Sequence, residues 1–238
     1  MAARSSDDVR GYMRFNRFRK IVALSREEIC REIYLQNRDR IKIKKEKVAI
    51  ANLVKIFNAT LALSNKKGFH AMSLRDLSKE TGLSMGALYS YFSSKDELVD
   101  IIQTQGRRVT AQVLHDQIAH ADRPREKLRR AIISHLSLSE VLYPWFYFSY
   151  MEARNLSKKQ LKKAIESELL TERIFVDILK RGSEEGIFAF PDTNLTAAVI
   201  KAVLQDWYMK RWKYASRGTS VEDYAVFVVD FVENFILA

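Results

Sequence analysis

Apolar positions along the chain recur mainly at intervals of three and four residues, the period of an α-helix rather than of a strand. Within residues 51–67 this spacing places Leu53, Ile56 and Leu61 on one face, and Gly68 follows as a helix stop. The pattern predicts an amphipathic helix that ends at Gly68. Because the chain has only three prolines and keeps the same spacing elsewhere, we expect an all-α protein.

Two short helices are predicted after this one, separated by a glycine. Ser73 can cap a helix over residues 74–81, and Gly82 ends it. Ser84 can cap the next, over residues 85–91. Two short helices joined by a glycine turn are typical of a helix-turn-helix, the motif that inserts its second helix into the major groove of DNA.

The segments IFNATLALSNKKGF and SLRDLSKETGLSMGALYSYFSSKDEL combine an alanine-containing helix, a glycine-aromatic turn, a serine cap and a Tyr-x-x-Phe-x-x-Lys close. In these features residues 56–98 resemble the TetR family of bacterial transcription regulators. The resemblance implies a helix-turn-helix DNA-binding domain over residues 46–104 and a C-terminal helical domain for effector binding and dimerisation over residues 105–238. Residues 1–45 would then form a basic N-terminal extension.

The second helix of such a motif presents its N-terminal residues to base edges. The expected base contacts are Ser84, Met85, Gly86 and Ala87. Phosphates are expected to be bound by hydroxyl groups and at helix N-termini, where the helix dipole attracts anions. The expected phosphate contacts are Ser73, Tyr89, Tyr91 and Lys95, with the role of Tyr89 implied by the resemblance. Ser73 and Ser84 could instead act only as helix caps, although capping and phosphate contact are compatible.

The positive charge is concentrated at the N-terminus. Residues 1–45 contribute +7 of the formal net charge of +11, whereas residues 46–100 contribute only +1. This asymmetry favours a polyanionic partner, and we hypothesise that residues 1–24 form an arm that contributes to phosphate attraction. The alternatives are a solvated tail or a helix that packs on the rest of the protein.

A helix is predicted to begin near residue 26, because Ser25 and Glu28 have the spacing of a capping box. Its end is ambiguous. Within residues 38–47, Ile41 and Ile43 alternate with lysines, a pattern that could break the helix or lead into the next one.

The last two predicted helices, over about residues 195–215 and 221–237, are apolar around more than one face. In the TetR family the equivalent pair forms the dimer interface. We therefore expect a homodimer, whose twofold symmetry would match a palindromic double-stranded DNA operator.

Five aromatic residues are candidates to line a pocket for a small hydrophobic effector, since such pockets are mostly apolar and aromatic. They are Trp145, Phe146, Phe148, Phe175 and Trp207. The alternative for each is ordinary core packing. An effector in the C-terminal domain would favour a dimer whose recognition helices are wrongly spaced, and DNA would be released.

Other functional classes receive no support from the sequence. Cys30 is the single cysteine, no secretory signal is evident, and no apolar run reaches the roughly 20 residues of a membrane span, so we expect a cytoplasmic protein without a membrane partner. The four histidines lack metal-ligand spacing, and we expect no cofactor, metal or enzymatic activity. The prediction is a ligand-released transcription repressor. The alternative is a helical adaptor or nucleoid-type binding protein that uses the basic arm.

Overall fold

The computed structural model describes residue 15 and residues 26–153 and 156–237. Within these residues the chain forms helices and one isolated backbone bridge, which confirms the all-α prediction. The helices are α1 (Arg26–Gln36), α2 (Glu46–Lys67), α3 (Leu74–Thr81), α4 (Met85–Leu88), α5 (Lys95–Ala119), α6 (Pro124–Val141), α7 (Tyr143–Met151), α8 (Lys158–Glu184), α9 (Thr193–Met209), α10 (Arg211–Ser216) and α11 (Val221–Ile236). Apart from residue 15, the proposed arm of residues 1–24 lies outside the described residues, as does the predicted cap Ser25.

The chain divides into two compact units. The first, which we call the N-terminal unit, contains the described residues 26–109, 144–153 and 156–164. The second, called the C-terminal unit, contains residues 110–143 and 165–237. Helices α5, α7 and α8 contribute residues to both units.

The core of the N-terminal unit is built on α2. Ile56 of α2 is fully buried, and Leu77 of α3 and Leu88 of α4 are buried in the same cluster. Helix α1 packs along α2 and adds Tyr34 and Cys30 to this core. Burial raises the pKa of the Cys30 thiol to about 12, so the thiol stays protonated and unreactive near neutral pH.

The predicted domain boundaries stay a prediction, but helix α1 is more than part of an extension. Helix α1 and the segment after it lie in the N-terminal unit, where their apolar side chains complete the core. Residues 144–164 also lie in the N-terminal unit. One close approach there depends on Gly106: a Cβ at this position would lie 1.8 Å from the indole of Trp145.

The C-terminal unit is organised around the pairing of α6 with α11, with α9 also packed on α6. Leu136 of α6 and Val228 of α11 are fully buried. The end of α11 is fastened by an antiparallel bridge between Phe188 and Leu237, beside which the amide of Ala189 donates to the carbonyl of Ile236 at 2.7 Å.

Helix α2 is the one helix in the described part of the chain that is long and apolar enough to cross a membrane. A core helix of a soluble protein has the same length and composition. Because Leu53 and Ile56 of α2 are buried among the other helices of the N-terminal unit, we assign its apolar residues to that core.

Candidate nucleic-acid interface

The turn between α3 and α4 is fixed by side-chain hydrogen bonds and by one glycine. Gly82 has φ +70°, the left-handed conformation that costs glycine least. The Thr81 hydroxyl donates to the carbonyl of Leu77 at 2.7 Å and accepts from the amide of Leu83 at 3.3 Å. The Ser78 hydroxyl donates to the carbonyl of Leu83 at 2.6 Å. The angle between the two helices is therefore held by the turn itself as well as by the core.

Ser73 caps α3 as predicted. Its hydroxyl accepts a hydrogen bond from the amide of Asp76 at 3.1 Å, and the Asp76 carboxylate accepts from the amide of Ser73 at 2.8 Å. Hydrogen bonds from Lys67, and then from Ser73, hold the pKa of Asp76 well below its usual range. Ser73 remains exposed at the N-terminus of α3.

Helix α4 presents a small exposed surface at its N-terminus. Ser84 caps it by accepting from the amide of Ala87 at 3.2 Å. Ser84 and Gly86 are exposed and Met85 and Ala87 are partly exposed, whereas Leu88 is buried and anchors the helix. Four of the predicted contact residues thus lie together on one accessible end of the recognition helix.

Helix α4 ends at Leu88, three residues earlier than predicted, and this separates the two tyrosines that follow it. Tyr89 is 46% exposed, as a phosphate contact requires. Tyr91 is only 2% exposed, and its hydroxyl accepts a hydrogen bond from the Asn52 side chain of α2 at 2.9 Å. Tyr91 is therefore a core residue, which corrects its prediction as a DNA contact.

Lys95 lies at the N-terminus of α5, but its ammonium group is used within the protein. The Nζ atom donates to the carbonyls of Phe69 at 2.7 Å and Met72 at 2.6 Å, and it lies 4.5 Å from the centre of the Phe69 ring. Burial lowers the pKa of this group from its ordinary value. Only the backbone of Lys95 remains a candidate for contact with phosphate.

One element beside the recognition helix was left ambiguous by the sequence. Residues 41–45 are not helical, and Lys45 has extended dihedral angles (φ −79°, ψ 100°), so the segment in which isoleucine and lysine alternate breaks the helix rather than continuing it. The amide of Lys42 donates to the carbonyl of Ser90 at 2.9 Å, next to Tyr89. We call residues 42–47 the lysine segment; its lysines are Lys42, Lys44, Lys45 and Lys47, all exposed.

Helices α9 and α11 expose large apolar side chains, as expected for a pair of helices that dimerise. The exposed residues are Leu195, Val199, Phe227, Phe231 and Phe235. The three phenylalanines recur every four residues, which aligns them on one face of α11, and the rings of Phe227 and Phe231 stack with centroids 6.5 Å apart.

The five predicted effector contacts are divided between the two units. Trp145, Phe146 and Phe148 belong to the N-terminal unit, where Phe148 is buried and packs edge-on against Phe69 at 5.9 Å. Phe175 and Trp207 are buried in the C-terminal unit. A cavity of about 230 Å³ in the N-terminal unit is lined by none of the five.

A buried core, a braced helix-turn-helix and an accessible recognition helix define a DNA-binding regulator. Comparison with known proteins agrees. The family model for bacterial regulatory proteins of the tetR family matches residues 56–102, and a tetracyclin repressor-like C-terminal domain model matches residues 121–236. The chain belongs to the TetR family.

Named relatives share this architecture. The transcriptional repressor KstR2 of Mycobacterium tuberculosis is 26% identical over 154 residues, which cover 63% of this chain and 76% of KstR2. The crystal structure of PfmR from Thermus thermophilus is 29% identical, covers 75% of this chain and 96% of PfmR, and has a TM-score of 0.67. FadR of Bacillus subtilis, solved with stearoyl-CoA, shares the fold at 20% identity, with a TM-score of 0.60 and coverage of 75% and 96%.

These relationships confirm several predictions made from the sequence. The chain is a DNA-binding transcription regulator of the TetR family and not an enzyme. Its architecture is an N-terminal helix-turn-helix followed by a C-terminal helical domain. The helical-adaptor alternative receives no support from the relatives.

Proposed function

We propose that the protein is a homodimeric repressor that binds a palindromic operator and leaves it when a small hydrophobic effector binds. The observation that carries the proposal is the accessible N-terminal end of α4, held by Ser84, Leu88 and the turn at Gly82. A rigid, small-residue surface of this kind allows close approach of the helix to base edges in the major groove. A relative that is 26% identical is itself described as a transcriptional repressor.

The residues proposed to contact DNA are the predicted ones that the structure leaves exposed or partly exposed. The base contacts are Ser84, Met85, Gly86 and Ala87, and the Met85 side chain or the Ala87 methyl would meet a thymine methyl group. The phosphate contacts are Tyr89, Ser73 and the backbone of Lys95.

Dimerisation is proposed through α9 and α11. Phe227, Phe231 and Phe235 are each more than half exposed, and burying three such rings against a second copy would remove a large apolar area from water. A twofold axis between the copies would place two recognition helices on half-sites one turn or more apart. The operator would then be palindromic.

The effector is proposed to be small and hydrophobic, with Phe175 and Trp207 as candidate contacts in the C-terminal unit and Trp145, Phe146 and Phe148 in the N-terminal unit. Release requires only that the effector binds the non-operator form more tightly than the operator-bound form. FadR, of the same fold, binds stearoyl-CoA, which makes acyl-CoA molecules of graded length sensible first probes. Ligand binding would be measured as a rise in melting temperature.

The proposal is tested by binding a DNA fragment from upstream of the protein's own gene. Tyr89→Phe should weaken binding by the loss of one phosphate hydrogen bond, and Met85→Ala should weaken it by the loss of an apolar contact with a thymine methyl group. Tyr150→Phe is the matched control, because Tyr150 is equally exposed at 50% but lies on α7. Equal affinities for all four proteins would contradict the proposed interface.

A further inference from the structure

We propose that the lysine segment is a second DNA-contacting surface, which binds backbone phosphates beside the groove that the recognition helix enters. The proposal rests on the proposed function, because it takes the DNA to lie against α4. The proposed phosphate contact lies outside the helix-turn-helix. The family match over the helix-turn-helix begins at residue 56, so the lysine segment precedes it.

Burial alternates along residues 41–44, which are not helical. Such alternation is the pattern of a chain whose successive side chains point to opposite sides. Ile41 is 2% exposed and Ile43 is partly buried against the core, so Lys42 and Lys44 project to the solvent side together. The alternation that was ambiguous in the sequence thus places the isoleucines against the core and the lysines on the solvent-exposed side.

The segment is fastened at both sides. The amide of Lys42 donates to the carbonyl of Ser90, which ties the segment to the residues that follow the recognition helix. From the other side, the hydroxyl of Tyr34 on α1 donates to the carbonyl of Ile43 at 3.2 Å and lies 3.3 Å from that of Lys44. These hydrogen bonds order the backbone of the lysine segment close to Tyr89 in the free protein. Binding of DNA therefore costs less conformational entropy than it would for a disordered segment.

The charge of the segment is not balanced by any ion pair among residues 26–153 and 156–237. Among the described residues no ion pair involves Lys42, Lys44, Lys45 or Lys47. Glu46, the acidic residue in the first turn of α2, is paired with Arg31 at 3.0 Å. Cations at a helix N-terminus oppose the helix dipole, so these lysines do not stabilise α2. A row of phosphates would supply the partners that these four lysines do not have among the described residues.

The test is the salt dependence of binding to an unrelated DNA duplex, because phosphate contacts do not depend on sequence. Lys42→Ala/Lys44→Ala in the full chain should lower the slope of log affinity against log salt by about 1.8 per protomer, from about 0.9 for each phosphate contact. Between about 50 and about 200 mM salt, wild-type affinity should therefore fall about 12-fold more than that of the variant, for each protomer engaged.

Two further variants make the result specific. Lys42→Arg/Lys44→Arg keeps the charges and should keep the wild-type slope. Lys180→Ala/Arg217→Ala removes the same charge from exposed positions of the C-terminal unit and should also leave the slope unchanged. Unchanged melting curves exclude misfolding as the cause of any change.

The outcomes separate the two proposals. A slope of Lys42→Ala/Lys44→Ala equal to that of wild type would overturn the role of the lysine segment, whatever the sequence preference of the protein. A reduced slope together with equal affinity for upstream and unrelated DNA would support the lysine segment and reject the operator proposal.

Discussion

Replacing Glu233 by glutamine should destabilise the C-terminal unit substantially, because Glu233 joins α11 to α6 through buried charges. Its side chain is 6% exposed and accepts hydrogen bonds from Arg129 at 2.8 Å and from Arg125 at 2.8 Å. Arg129 is nearly as buried, at 8%, whereas Arg125 is 46% exposed. Glu233→Gln therefore removes the negative charge that faces the buried Arg129 guanidinium, whereas Arg125 can be solvated by water.

Breaking a buried pair from one side costs about 3–5 kcal/mol, and the exposure of Arg125 points to the lower end, about 3 kcal/mol. For a chain of this size that corresponds to a melting temperature lower by about 6–12 °C. The measurement is thermal unfolding by circular dichroism at one fixed protein concentration, since dimerisation couples stability to concentration.

Two variants check the reasoning about burial. Glu185→Gln removes an exposed partner of Arg181, 2.8 Å away, and should change stability by less than about 1 kcal/mol. Arg129→Met/Glu233→Leu removes both buried charges and should recover much of the loss. If Glu233→Gln were no more destabilising than Glu185→Gln, the buried pair would not have the role assigned to it.

Three other changes have defined outcomes. Burial raises the pKa of Glu233, but hydrogen bonds from Arg129 and Arg125 lower it by more, so its folded pKa is below its unfolded value. The Glu233 carboxylate therefore contributes its full stabilisation of the folded protein above about pH 4.3, and this contribution is lost as the pH falls through the folded pKa. Melting temperatures of the wild type and of Glu233→Gln, compared across pH 3–7, would detect the loss. Tyr91→Phe should lower stability by about 1 kcal/mol through loss of the Asn52 hydrogen bond, with DNA affinity unchanged; a specific loss of affinity would return Tyr91 to the interface. Gly82→Ala should cost about 1–2 kcal/mol in urea unfolding, from backbone strain alone, because a Cβ there has open space; no loss would mean that the turn relaxes.

The helix-turn-helix could be located from the sequence because its signals act locally. Ser73 and Ser84 accept from backbone amides three residues on, and Gly82 adopts a conformation that its lack of a Cβ allows. Each of these interactions is contained within one turn of chain. Residue type and spacing were therefore sufficient to predict them.

The roles of Tyr91 and Lys95 depended on partners distant in the sequence. Tyr91 binds Asn52, and Lys95 binds carbonyls more than 20 residues away. Neither partner is indicated by local spacing, and the assumption that α4 continued to residue 91 placed the tyrosine on the wrong face. Helix α1 was predicted to begin near residue 26, but its packing on the rest of the protein was left as one alternative, because local spacing does not indicate that Ile33 and Tyr34 pack against α2.

Sequence-specific DNA binding is the central claim, and competition binding at about 150 mM salt tests it most directly. A labelled fragment from upstream of the protein's own gene would be titrated with protein in the presence of unrelated DNA. We predict a protected palindromic site and an affinity at least about 10³-fold tighter than for the competitor. Equal affinity for all DNA tested, including a library of genomic fragments, would contradict it and indicate a nucleoid-type binding protein.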